Sequence, residues 1–103
     1  MRISIEYFIP VENYAEFTSR IHRLRGVRLR DGALRWGIYR DAGKPEHLNE
    51  TFIMESWIEY LRSRERMTAS DEQVRQAVWE LHQHEDPPRI SYQIYARETA
   101  NPT

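Results

Sequence analysis

His82, His84, Glu85 and Asp86 crowd four groups capable of binding a metal into five residues. Their spacing works against it. Two residues apart on a helix, the histidines point in different directions, whereas a zinc-binding helix sets its ligands four apart. The stretch reads as a polar helix end, and no metal is expected. The chain has no cysteine, which excludes a thiolate nucleophile, a cysteine zinc site and a disulfide scaffold. Its four glycines are scattered, so no glycine-rich phosphate loop forms. No local signature of a Ser-His-Asp triad is present. The basic run Arg20, Arg23, Arg25, Arg28 and Arg30 sits in a chain where 15 basic residues face 16 acidic ones. With that balance it reads as a solvated helix face rather than a nucleic-acid contact.

These side chains need elements to position them. Residues 2–9 alternate apolar and polar, the period of a strand, with Ile3, Ile5 and Tyr7 on one face. Tyr14, Phe17, Ile21 and Leu24 follow at helical spacing. Asp31-Gly32 marks a turn. Residues 33–40 alternate again, with Leu34, Trp36 and Ile38 sharing a face, and residues 49–56 form a third strand. Ser56 with Glu59, and Ser70 with Gln73, have capping-box spacing and open two more helices. The second carries Val74, Ala77, Val78 and Leu81 inward and stops at Asp86-Pro87-Pro88. Residues 90–96 form the last strand, and residues 98–103 are expected to be a flexible tail.

The order βαββααβ predicts one α+β domain over residues 1–97, with a four-stranded antiparallel sheet of ferredoxin-like type. Such a sheet carries its helices on one face and leaves the other open. If Ile3, Leu34 and Ile90 face the helices, then Glu6, Phe8, Arg35, Tyr39, Gln93 and Tyr95 face away. Apolar groups gathered on an exposed face mark a contact site. Either two sheets pack face to face as a homodimer, or single-stranded RNA stacks on the aromatics. The third strand lacks the basic, glycine-rich and aromatic signature of an RNA-recognition motif. The dimer is therefore the expectation, without nucleic acid. No apolar run approaches the ~18 residues that cross a bilayer, and the opening residues lack a signal-peptide core. A cytoplasmic chain that does not insert into a membrane is expected.

Three stretches carry a family resemblance: Arg30-Asp-Gly-Ala-Leu-Arg-Trp-Gly-Ile-Tyr-Arg-Asp41, Asn49-Glu-Thr-Phe-Ile-Met-Glu-Ser-Trp-Ile-Glu-Tyr-Leu-Arg62 and Glu65-Arg-Met-Thr-Ala-Ser-Asp71. With Pro87-Pro-Arg89, they resemble the soluble C-terminal domain of the transmembrane secretion effector family of major-facilitator exporters. That domain is in turn similar to the antibiotic biosynthesis monooxygenase superfamily. The resemblance implies a protomer whose sheet pairs with a second copy in a dimeric α+β barrel.

It also implies a pocket. Cofactor-free monooxygenases of this superfamily oxidise electron-rich polyphenols in a dry cavity, where hydrogen bonds stabilise the substrate anion. Trp36, Trp57 and Tyr60 would wall such a pocket, and Asn49, His47 and Arg64 would supply polar contacts. Trp57 matches the tryptophan of the superfamily's Glu-x-Trp motif. The histidines that often follow it are absent from Arg62-Ser-Arg-Glu-Arg-Met67. The first strand has no asparagine, which argues against haem degradation. The leading expectation is a dimeric module binding a small hydrophobic or aromatic molecule without a cofactor. A cofactor-independent monooxygenase of a quinol or polyphenol is the alternative, and a purely structural dimerisation domain ranks third.

Overall fold

A computed structural model describes residues 1–96. The first strand, β1 (Arg2–Phe8), leads through a 3₁₀ turn at Val11–Asn13 into α1 (Tyr14–Arg30). Then come β2 (Arg35–Arg40), β3 (His47–Ile53), α2 (Trp57–Glu65), α3 (Ala69–Trp79) and β4 (Arg89–Gln93). The strands form one antiparallel sheet in the order β2-β3-β1-β4. This is the ferredoxin-like arrangement expected from the element order. The tail expected at 98–103 lies outside the described residues.

Alternation decides which face each strand buries. Ile3, Ile5 and Tyr7 of β1, Leu48 and Phe52 of β3 and Met54 just past its end meet Phe17, Ile21, Leu24 and Val27 of α1 in the core. Burying each large apolar side chain contributes roughly 1.5–3 kcal/mol. The turn into β2 needs Gly32, whose φ of 112° is a conformation L side chains rarely adopt.

The boundaries differ from the sequence reading in several places. β3 starts at His47 rather than 49, so Asn49 is inside the strand, paired with Glu6 and Tyr39. Leu34, expected inward, is 64% exposed because it precedes β2 at a corner that α1, ending at Arg30, does not cover. The cap of α3 is Thr68, not Ser70. Its hydroxyl accepts the Asp71 amide while the Asp71 carboxylate accepts the Thr68 amide. That helix ends at Trp79, seven residues before Asp86, and leaves Leu81 in a turn. β4 ends at Gln93, so Tyr95, expected on the open sheet face, lies past the strand and is 83% exposed. Glu6, Phe8, Arg35, Tyr39 and Gln93 do alternate away from the helices.

The segment after α3 turns back against the end of β1. The Phe8 amide donates to His82 Nδ1 at 3.0 Å, and the Gln83 amide donates to the Phe8 carbonyl at 2.8 Å. His82 Nδ1 is thereby an acceptor, which puts the ring proton on Nε2, 2.9 Å from the Asp86 carbonyl. His82 is a tether between elements rather than part of a polar helix end. The Phe8 ring lies between His47 and His84, with centroids 4.3 and 4.6 Å away.

Candidate functional site

The most unusual group beneath the sheet is Glu50, a fully buried acid at the centre of β3. Its Oε1 accepts the Tyr7 hydroxyl at 2.9 Å, and its Oε2 accepts Arg28 Nε at 3.1 Å and Trp36 Nε1 at 2.9 Å. Every partner donates, as a carboxylate requires. The Arg28 guanidinium also lies 4.6 Å from the Phe52 ring centroid. Burial, and then the Glu50 charge, push the Tyr7 phenol well above its ordinary range. For Arg28, burial favours deprotonation, but the Glu50 charge and hydrogen bonds outweigh it and raise the guanidinium further. This cluster was missed in the sequence, yet two periodicities signal it. Glu50 alternates with Leu48 and Phe52, and Arg28 lies four residues after Leu24 on the buried stripe of α1.

The basic run is therefore not one solvated face. Arg28 is consumed by Glu50. Arg30 bridges Asp31 and Asp71. Arg20 pairs with Glu16 and Glu80 and donates to the Ala77 carbonyl. These arginines fasten α1 to the sheet and to α3.

The residues expected to form one pocket are distributed over three places. Trp36 hangs from the Glu50 carboxylate, with His22 and Arg25 beside its ring. Trp57, Tyr60 and Tyr92 form an aromatic cluster with centroids 5.1–5.6 Å apart. Burial, followed by the neighbouring Tyr92 hydroxyl, pushes the Tyr60 phenol up to about 12. Trp57 itself remains 46% exposed. Tyr60 and Arg64 line a cleft with Arg28, Phe52 and Met54, but its cavity is only about 20 Å³. That is room for one water, not for an aromatic molecule. Asn49 projects from the opposite sheet face, where Glu6, Tyr39 and His47 surround it. Its Oδ1 is buried without a hydrogen-bond partner among the described residues.

A larger apolar space opens elsewhere, between the first half of α1 and the edge strand β2. Its volume is about 310 Å³, the lower end of the range for small-molecule sites. Phe17 and Ile21 form the helix wall, and Ile38 and Leu48 the sheet floor. Tyr14 and Thr18 stand at the helix rim, and Arg40 closes the sheet side. The Tyr14 hydroxyl donates to the Pro45 carbonyl and so fixes one end of the groove to the β2–β3 loop. Nothing in the sequence marked this space. It arises because an apolar stripe of a helix stands over the last strand of a sheet, with no further strand beyond it.

A ferredoxin-like sheet with one uncovered face and an apolar groove under its edge defines a compact α+β module. The chain belongs to the transmembrane secretion effector family, whose sequence profile matches residues 1–100. No curated protein matches it. Among solved structures it is similar to a mutant of SnoaB, a cofactor-independent oxygenase from Streptomyces nogalater, with TM-score 0.75, 13% identity and 94% of each chain covered. It is also similar to a provisionally assigned antibiotic biosynthesis monooxygenase of Bordetella bronchiseptica, with TM-score 0.75, 15% identity and coverage of 93% and 96%. Rv0793 from Mycobacterium tuberculosis matches with TM-score 0.72, 15% identity and coverage of 94% and 95%. At these identities the shared property is the fold. No described helix is long and apolar enough to cross a membrane.

Proposed function

We propose that the chain is a soluble, dimerising module of the transmembrane secretion effector family, acting as a cytoplasmic C-terminal domain that binds a small hydrophobic or aromatic molecule. The observation that carries the binding is the groove of about 310 Å³ between α1 and β2, set against about 20 Å³ beneath Tyr60. The former has the volume that such a ligand needs and stands over the apolar stripe of α1, whereas spaces of about 370 and 430 Å³ lie over the open sheet face and beside Met1, Ile53 and Ile94. Dimerisation is supported by the open sheet face. There the Tyr39 ring lies across Gly37, so close that a Cβ at that glycine would sit 2.8 Å from it. Tyr39 is 63% exposed on this face, an aromatic surface that a second copy would cover.

The test is a fluorescence titration with the neutral aromatic probe N-phenyl-1-naphthylamine. The parent protein should bind it saturably. Thr18→Trp, which fills the groove from an exposed position, should weaken binding at least tenfold while leaving the circular dichroism spectrum unchanged. No saturable binding by the parent, or unchanged affinity in the variant, would remove the groove reading.

A second reading is cofactor-independent oxygenation of a quinol or polyphenol. It is favoured by the fold shared with SnoaB and by the Trp57–Tyr60–Tyr92 cluster beside Arg64. Arg64 would stabilise the substrate anion, whose electron passes to oxygen. Tyr60 would have to swing aside to admit a ring. Oxygen uptake equal to the protein-free blank across a panel of quinols would end this reading for those substrates.

A further inference from the structure

We infer that the groove between α1 and β2 selects an anionic amphiphile, an aromatic or aliphatic body carrying a carboxylate or sulfonate, and that Arg40 is the residue that reads its charge. This rests on the groove being the ligand site. Arg40 is the last residue of β2 and alternates with Trp36 and Ile38, so it leaves the sheet on the helix side, at the end of the apolar floor. Arg20, Arg28, Arg30, Arg62 and Arg75 each hold an acid on a neighbouring turn or element, whereas Arg23, Arg35 and Arg64 make no ion pair among the described residues, and what sets Arg40 apart from these three is its place at the groove. Arg40 makes no ion pair and no side-chain hydrogen bond among the described residues. The acid next to it in the chain, Asp41, spends its Oδ1 on the Gly43 and Lys44 amides and so closes the turn instead.

The chemistry of recognition follows from this placement. Phe17, Ile21, Ile38 and Leu48 offer the body of a ligand contacts that do not discriminate by charge. A guanidinium at the mouth offers two parallel donors to a planar anion, the geometry a carboxylate accepts best. A ligand lying in the groove shields that pair from water on one side, which strengthens it beyond an ordinary surface contact. The groove opens on the helix side of the sheet and shares Tyr39 alone with the open-face residues proposed for the dimer, so a dimer formed through that face leaves its helix wall accessible. The two properties can coexist in one molecule.

Two probes with the same aromatic skeleton separate the inference from the reading beneath it. N-phenyl-1-naphthylamine is neutral, and 1-anilinonaphthalene-8-sulfonate adds one anionic group. The parent protein should bind the sulfonate about tenfold more tightly. Arg40→Gln should erase that preference, lowering affinity for the sulfonate far more than for the neutral probe. Arg40→Lys should restore part of it, and added salt should weaken only the sulfonate. Equal affinity for both probes in the parent, or a preference that survives Arg40→Gln, overturns the anionic assignment and leaves the groove standing. Binding of both probes undiminished by Thr18→Trp removes the groove and the inference together.

Discussion

Glu50 and Arg28 show how one residue pair can dominate a small fold. Two charges taken out of water are costly, and here the cost is offset by direct pairing and by the Tyr7 and Trp36 donors. Breaking the pair leaves an uncompensated buried charge. Arg28→Met should therefore lower unfolding free energy by about 3–5 kcal/mol. The double variant Arg28→Met/Glu50→Leu should be less destabilised than Arg28→Met alone, because neither charge remains. Urea denaturation of the parent, both singles and the double closes the cycle. A double variant as unstable as the sum of its singles would show that the pair is not coupled. The roles of these residues were half legible. Alternation alone places Glu50 on the buried face, but hydrophobicity reading passes over an acid there, and only the register with α1 reveals its partner. Asn49 was less legible still. The sequence puts Asn49 at the start of the third strand, and that the strand begins two residues earlier, with Asn49 inside it between Glu6 and Tyr39, depends on pairing with other strands that periodicity does not show.

At the scale of elements, the corner between α1 and α3 is held by Asp71. It caps α3 through Thr68 and accepts Arg30 from the end of α1. The Arg30 hydrogen bond first, and then the Thr68 amide, hold the Asp71 carboxyl down at about 2, against an ordinary value of 3.8. In return, Asp71 and then Asp31 raise the Arg30 guanidinium above its usual range. A depressed acid stabilises the fold when ionised. Its contribution is complete above the unfolded value and is lost as pH falls through the folded one. Melting temperature should therefore drop between about pH 4 and pH 2, and Asp71→Asn should be less stable at pH 7 with a flatter profile in that window. A parallel profile for the variant would contradict this. The sequence shows that a helix begins here, but capping-box spacing points to Ser70, and Thr68 with Asp71 has the same spacing two residues earlier. The backbone at Thr68 decides it, extended with ψ 171°. The end of α3 was less readable, since an apolar Leu81 continues the periodicity into a turn.

At the scale of the whole molecule, the element order sufficed for the topology, and strand alternation sufficed for most of the open face. The face fails as a sequence reading only where strands stop early, as at Tyr95. The groove is a property of tertiary spacing between α1 and β2 and leaves no periodic trace. For the proposed dimer, sedimentation should give about twice the 12.5 kDa chain mass. Thr51→Lys, a charge placed mid-strand on β3 opposite Ser4 and Gly37, should return it to the monomer. A monomeric parent would leave the open face without its proposed partner.

The most direct test of the binding claim is an amide chemical-shift titration of the labelled chain with N-phenyl-1-naphthylamine. The account predicts saturable shifts concentrated at Thr18, Ile21, Ile38 and Leu48. Shifts centred instead on Tyr60, Arg64 and Met67 would move the site to the cleft beneath α2, and an unperturbed spectrum would contradict ligand binding by this groove.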